Sequence, residues 1–149
     1  MTKCPKCDYQ VCHRDDKTFC AMCNEWLPER PPLIPVVLES PFAGDEEEIK
    51  RNIRYGRACV KDCLQRGEAP YASHLLYTQE GVLDDEVPEE RSLGMGAGFV
   101  WGRLAELTVV YTDLGISRGM HDGIEASKEI GRPVEYRKLG KDWDKGKES

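Results

Sequence analysis

The chain contains no apolar stretch approaching the ~18 residues that a membrane span needs, and no charged-then-apolar leader opens it. It is therefore expected to be cytoplasmic, with no membrane partner. Positive charge is also in short supply. Twenty-one Lys and Arg face 27 Asp and Glu, a net charge of −6. This argues against a duplex-DNA binder that works by blanketing phosphates, although a small basic patch stays open. Low-complexity tracts and internal repeats are absent too. At 149 residues, 40% hydrophobic and 32% charged, the chain has the composition of one folded domain or of one domain with a small accessory.

What is abundant is cysteine, and it is unevenly placed. Five of the seven cysteines (Cys4, Cys7, Cys12, Cys20, Cys23) fall in the first 23 residues. In a reducing compartment such crowding reads as metal ligation rather than as a disulfide framework. Cys4-Pro5-Lys6-Cys7 and Cys20-Ala21-Met22-Cys23 supply two CxxC knuckles for a tetrahedral structural zinc ion, Zn(2+). Asp8 and Asn24, just after the knuckles, tolerate the left-handed turn that often ends one. Cys12 or His13 as a substitute ligand is the rival reading. A head this small buries little core, so metal binding would supply its folding energy. Lys3, Lys6, Arg14 and Lys17 offer contacts to nucleic acid, offset by Asp8, Asp15 and Asp16.

Four prolines between 28 and 35 (Pro28, Pro31, Pro32, Pro35) mark an extended linker. The expected organisation is a zinc ribbon at 1–27, a linker at 28–35, an α/β domain at 36–139 and a charged, frayed tail at 140–149. Within the domain, Val36 to Glu39 reads as a buried strand. Asp45 and Glu48 stand at capping-box spacing ahead of a helix bearing Ile49, Ile53, Val60 and Leu64 and closed by Gly67. Residues 69–76 read as a second strand running into a loop, and Pro88 opens a helix running to about Leu104. Leu107 to Tyr111 is the clearest strand. Ser117 caps a helix through Ile130, and Val134 to Arg137 is the last strand. Alternation of strand and helix predicts a parallel sheet covered by helices, with ligands beyond the C-terminal strand ends at 39–44, 73–76 and 112–119.

Three segments, VVLESPFAG (36–44), TVVYTDLGISRGM (108–120) and GRPVEYR (131–137), resemble the nucleoside 2-deoxyribosyltransferase-like superfamily, in particular its small bacterial and phage branch. That superfamily also includes 2'-deoxynucleoside 5'-phosphate N-hydrolases. The resemblance covers Pro35 to Leu139 and leaves the cysteine head outside. It implies a flavodoxin-like or Rossmann-like sheet with a nucleoside or nucleotide pocket at the strand ends. In the enzymes of the superfamily, a Glu near the start of the helix before the last strand is the nucleophile. Counting back eight residues from Gly131 reaches Gly123, which has no side chain.

The candidate catalytic carboxylates are Asp113, Glu39 and Asp122. Candidate binding residues are Ser40, Pro41 and Phe42 in the first loop, His74 after the second strand, and Ser117, Arg118, Gly119 and Met120 at a helix start suited to an anion. Gly94, Gly98 and Gly102 fall at four-residue intervals, with Phe99, Val100 and Trp101 on the same helix, and predict a homodimer through that helix. Cys59 and Cys63 read as small buried side chains. Three functions stay open. They are hydrolysis or transfer at an N-glycosidic bond, non-catalytic nucleotide binding that senses or sequesters, and a zinc-ribbon adaptor for nucleic acid or protein.

Overall fold

The computed structural model describes residues 3, 4, 6–8, 10, 12–14, 17–26 and 33–145, with backbone alone at 12–14, 17, 18, 25 and 26. The chain divides into two compact units, Met1–Pro32 and Leu33–Ser149.

In the first unit Cys12–Arg14 (β1), Lys17–Cys20 (β2) and Glu25–Trp26 (β3) form an antiparallel sheet in the order β1-β2-β3. Asp8 and Asn24 take φ values of 57° and 54°, the left-handed turns expected after the two knuckles. The side chains of Cys12 and His13 lie outside the described residues, as do residues 28–32 of the expected linker.

The second unit is a four-stranded, all-parallel sheet with flanking helices, a Rossmann/flavodoxin-like α/β fold. Its elements are β4 (Ile34–Glu39), α1 (Glu46–Gln65), β5 (Glu68–Tyr71), α2 (Ser73–Leu76), α3 (Pro88–Gly102), β6 (Leu107–Tyr111), α4 (Arg118–Glu129) and β7 (Val134–Arg137). Strand order is β5-β4-β6-β7. The chain steps outward from β4 to β5 and then returns to the other side of β4 to form β6. The C-terminal ends of β4 and β6 therefore flank a switch point, where doubly wound sheets leave a crevice.

Apolar alternation along the central strands divides two cores. Val36 and Leu38 of β4 join Val109 and Tyr111 of β6 against Tyr55, Cys59 and Cys63 of α1. On the other face Val110 meets Met120 and Ile124 of α4. Asp45 caps α1 in a full capping box with Glu48, and Ser117 caps α4 by accepting from the Met120 N–H. Gly131 ends α4 with φ 72°. At one edge of the sheet, β5 carries Pro70 opposite Val36.

Several expectations need correcting. Ile34 and Pro35 belong to β4 rather than to a linker. Pairing to β6 begins only at Val36, so Pro35 sits at the strand's start, and its carbonyl accepts from the Glu106 N–H. The second strand ends at Tyr71, and residues 73–76 form the short helix α2 where a loop was expected. The buried face of α1 is Asn52, Tyr55, Gly56, Cys59 and Cys63, and Leu64 is exposed. Small residues win this face because Gly56 lets Leu75 approach the helix backbone.

The described part of the tail is docked. Trp143 packs edge-on against Tyr55 with centroids 5.0 Å apart, Arg54 pairs with Asp144, and Asp113 accepts from the N–H groups of Leu139 and Gly140. Finally, the glycine stripe of α3 faces its own chain. A Cβ would meet Leu83 at Gly94, Ser73 at Gly98 and Val37 at Gly102, so the close approach the stripe permits is intramolecular. The opposite side of α3 leaves Leu93, Val100 and Trp101 exposed.

Candidate functional site

Two groups of residues carry chemistry, one in each unit. In the first, the sulfurs of Cys4, Cys7, Cys20 and Cys23 all lie within 4.8 Å of one another. Cys4 and Cys23 are 3.9 Å apart, Cys7 and Cys20 3.6 Å, and Cys7 and Cys23 3.4 Å. A tetrahedron with metal–sulfur bonds of ~2.3 Å has edges of ~3.8 Å, so the four thiols fit around one metal ion. The N–H groups of Lys6 and Cys23 each point at a knuckle sulfur at 3.4 Å, as needed to steady a thiolate. The set can hold a metal.

In the second unit a cavity of about 610 Å³ opens beyond the strand ends, lined by β4, α2, α3 and α4. Glu39, the last residue of β4, projects into it and makes no hydrogen bond among the described residues. Burial pushes its carboxyl up to about 8, with Arg132 pulling down and Asp122 pushing up. Asp122 lies at the exposed mouth of the same cavity. Arg132 is fixed by its own bonds. It donates to Thr108 Oγ1 at 2.8 Å, to Ser127 Oγ at 3.2 Å and to the Gly102 carbonyl.

Opposite Glu39 the α4 backbone is bare. A Cβ built on Gly123 would overlap the Glu39 carboxyl group.

Ser40 is buried, and its hydroxyl lies 2.7 Å from His74 Nε2, both groups lining the cavity. Burial drives His74 down to about 4, so the ring is neutral at physiological pH. Phe42 faces the cavity from the first loop, whose carbonyl at Phe42 is held by the Asn52 amide at 2.9 Å. The Tyr71 hydroxyl is buried without a partner among the described residues and belongs to the same lining.

At the start of α4 the lining includes Ser117, Arg118, Gly119 and Met120. The Met120 side chain is buried in the core, so its contribution is to anchor the helix rather than to reach outward. Arg91 of α3 comes over this helix start, with its guanidinium 3.6 Å from where a Gly119 Cβ would be, and it pairs with Asp85 at 3.6 Å. Unpaired helix N–H groups, Gly119 and two guanidiniums make an anion-accepting corner.

The cavity therefore gathers Glu39, Ser40, Phe42, His74, residues 117–120 and Asp122. Pro41 is buried beside it and is not part of the lining. Asp113 lies elsewhere. Its carboxylate accepts from the Tyr55 hydroxyl at 2.6 Å and from the backbone N–H groups of Leu139 and Gly140 at 2.8 and 3.0 Å. Those bonds occupy Oδ1 twice and Oδ2 once with parts of the scaffold. Arg132 and Tyr71 were not singled out from the sequence. The signal for Arg132 was its place between Gly131 and Pro133, which fixes the chain direction just before the last strand. Tyr71 had no signal beyond its position at a strand end.

Residues 34–137 match the model of a family described as a domain of unknown function (DUF7768), and the chain belongs to that family. No curated protein and no solved structure matches it.

Proposed function

We propose that this member of the DUF7768 family takes a nucleoside or nucleotide into the cavity at the strand ends and cleaves its N-glycosidic bond. The observation that carries the reading is Glu39, from a strand end, with Asp122, from a helix, acting on its charge at one cavity that Asp85, Glu90, Glu125 and Glu129 also line. Glycosidic cleavage needs an acid for the leaving group and a base for the incoming nucleophile. Two carboxyl groups in unlike surroundings meet that need. Burial against the α4 backbone favours the protonated form of Glu39, whereas Asp122 faces solvent.

The other walls suit the same ligand. The α4 start with Arg118 and Arg91 accepts a phosphate, the Phe42 ring offers a face to a base, and Ser40 with neutral His74 can bond a sugar hydroxyl. The resemblance to the nucleoside 2-deoxyribosyltransferase-like superfamily supports the same ligand class. The test is chromatography of a nucleoside and deoxynucleotide panel after incubation with the protein. Free base should be released by the natural chain and not by Glu39→Gln. No release from any member refutes the reading. Release without Glu39 moves the chemistry to other residues.

Gly123 favours a second reading, in which the domain senses or sequesters its ligand without turning it over. Retention of one panel member with no base released would select it.

For the head we propose a structural zinc ion on Cys4, Cys7, Cys20 and Cys23, since four ligands close the site and leave no open position for catalysis. Zinc would supply the folding energy of the head, whose own part is docking on nucleic acid or on a protein. We further propose a homodimer, now through the exposed side of α3 at Leu93, Val100 and Trp101 rather than through its glycines.

A further inference from the structure

Gly123 needs an explanation that the helix itself does not provide. It lies in the middle of α4, where glycine is unfavourable, and it is not among the residues with positive φ, so no turn demands it. What demands it is the Glu39 carboxyl group, which fills the space where a residue-123 side chain would begin. The seat is rigid. Ser127 Oγ donates to the Gly123 carbonyl at 2.9 Å and accepts from Arg132, whose Nε bonds Thr108 on β6. Glu39 thus rests against bare helix backbone, steered by shape and by the fixed Arg132 charge, with no hydrogen bond tying up its proton.

We infer that Glu39, seated over Gly123, is the proton donor to the departing base in a single displacement by water, with Asp122 as the base that activates the water. The inference rests on the glycosidic reading above and adds to it a route without a glycosyl-enzyme. In the step, a water oxygen bonds to the anomeric carbon as the carbon–nitrogen bond breaks. Its electron pair passes to the base nitrogen, which takes the Glu39 proton, while Asp122 takes a proton from the water. The products are the free base and the sugar. The proton on Asp122 returns to Glu39 through solvent, and the site is restored. Burial that keeps Glu39 protonated near neutrality suits a donor and ill suits an attacking carboxylate. Arg132 before β7 and Asp122 on α4 act on it directly, and the other ionisable groups lining the cavity are His74 on α2, Tyr71, Tyr77, Asp85, Glu90, Arg91 and Arg103 along the α2 and α3 walls, and Arg118, Glu125 and Glu129 on α4.

The experiment compares the natural chain with Glu39→Gln and Gly123→Ala, using a deoxynucleotide that the panel shows to be cleaved. Proton NMR of the first-formed sugar should show the inverted anomer. Adding a second free base should give no exchanged nucleotide, and the quenched protein should carry no added sugar mass. Glu39→Gln should lose ~10²-fold or more in kcat. Gly123→Ala should fold with an unchanged circular dichroism spectrum. Its added methyl displaces the carboxyl group and should cost roughly 100-fold in kcat with a small change in KM. A retained anomer, base exchange, a sugar adduct on Glu39, or full activity in Gly123→Ala each overturns the inference.

A spectroscopic arm stands apart from turnover. The infrared carboxyl band of the natural chain should titrate near the raised value and vanish in Glu39→Gln. In Gly123→Ala it should move back toward the ordinary carboxylate range. If no panel member is cleaved but this titration is found, the glycosidic reading fails and the seat stands. If Glu39 titrates as an ordinary exposed carboxylate, the seat fails whatever the turnover.

Discussion

Replacing Asp113 by alanine separates a scaffold carboxylate from a catalytic one. The side chain accepts from the Tyr55 hydroxyl at 2.6 Å and from the backbone N–H groups of Leu139 and Gly140. Tyr55 in turn carries Trp143 on its ring. Hydrogen bonds to a charged acceptor contribute ~1.5–3 kcal/mol each, and a stranded buried hydroxyl costs ~1–3 kcal/mol, but the terms overlap. A net loss of about 3 kcal/mol is expected, which lowers Tm by roughly 10–15 °C in a domain of this size. Asp113→Asn keeps one acceptor oxygen and should lose about half as much. The pH dependence has a definite sign. Burial pushes the Asp113 carboxyl up, but the Tyr55, Leu139 and Gly140 donors outweigh it and hold the group below its usual range. Its stabilisation is therefore present above the unfolded value of ~3.9 and lost as pH falls through the folded one. The gap between the natural chain and Asp113→Ala should close in strong acid. Scanning calorimetry gives Tm, and tryptophan fluorescence reports release of Trp143. An unchanged Tm together with abolished base release would refute the argument and put Asp113 in the chemistry.

Other outcomes follow from the same structure. The raised carboxyl of Glu39 makes stability fall as pH rises from the ordinary glutamate range to about 8. Glu39→Gln should therefore be more stable than the natural chain at pH 9, by up to ~5 kcal/mol, and nearly equal at pH 4 in urea unfolding. Glu68→Ala leaves the buried Arg137 guanidinium with the half-exposed Glu135 as its one remaining ion-pair partner among the described residues and should cost ~3–5 kcal/mol by the same assay. Elemental analysis should find one zinc per chain. A chelator, or Cys20→Ser, should remove it and collapse the NMR signals of residues 3–26, with the Tm of the α/β unit unmoved. Leu93→Glu should turn a dimer into a monomer in sedimentation velocity, whereas Gly98→Ala should instead lower Tm by pressing on Ser73.

The strands and caps of the α/β unit were legible because each rests on local chemistry. Leu107 to Tyr111 is β-branched and aromatic, and Asp45 with Glu48 is a complete capping signal. The four metal-competent cysteines were legible for the same reason, their spacing being a local constraint. On α1, hydrophobic spacing pointed to Ile49, Ile53, Val60 and Leu64, of which Leu64 is exposed; Cys59 and Cys63 were expected as small buried side chains and are buried, whereas the close approach at Gly56 had no local signal. Asp113 looked catalytic by its place at the end of the strongest strand. Its true neighbours are Leu139 and Gly140, which no local pattern links to it. The bare position 123 was visible as a gap, but that a strand residue fills the gap is a three-dimensional fact. The glycine stripe announced a close approach, which the sequence reading assigned to a second copy of the chain; the approach found is to Leu83, to Ser73 of α2 and to Val37 of β4.

Pro70 has a consequence beyond the single domain. An edge strand normally offers its outer row of N–H and C=O groups to any passing chain, and identical copies can then add to one another without end. On β5 that row is interrupted, since proline has no proton to give. The far edge, β7, carries the exposed carboxylate of Glu135, while its last residue, Arg137, is buried. With one border lacking a donor and the other carrying charge, the sheet resists growth into fibrils at both ends. Copies of the chain that meet at high concentration are left with their helical sides, which allow a closed and finite assembly.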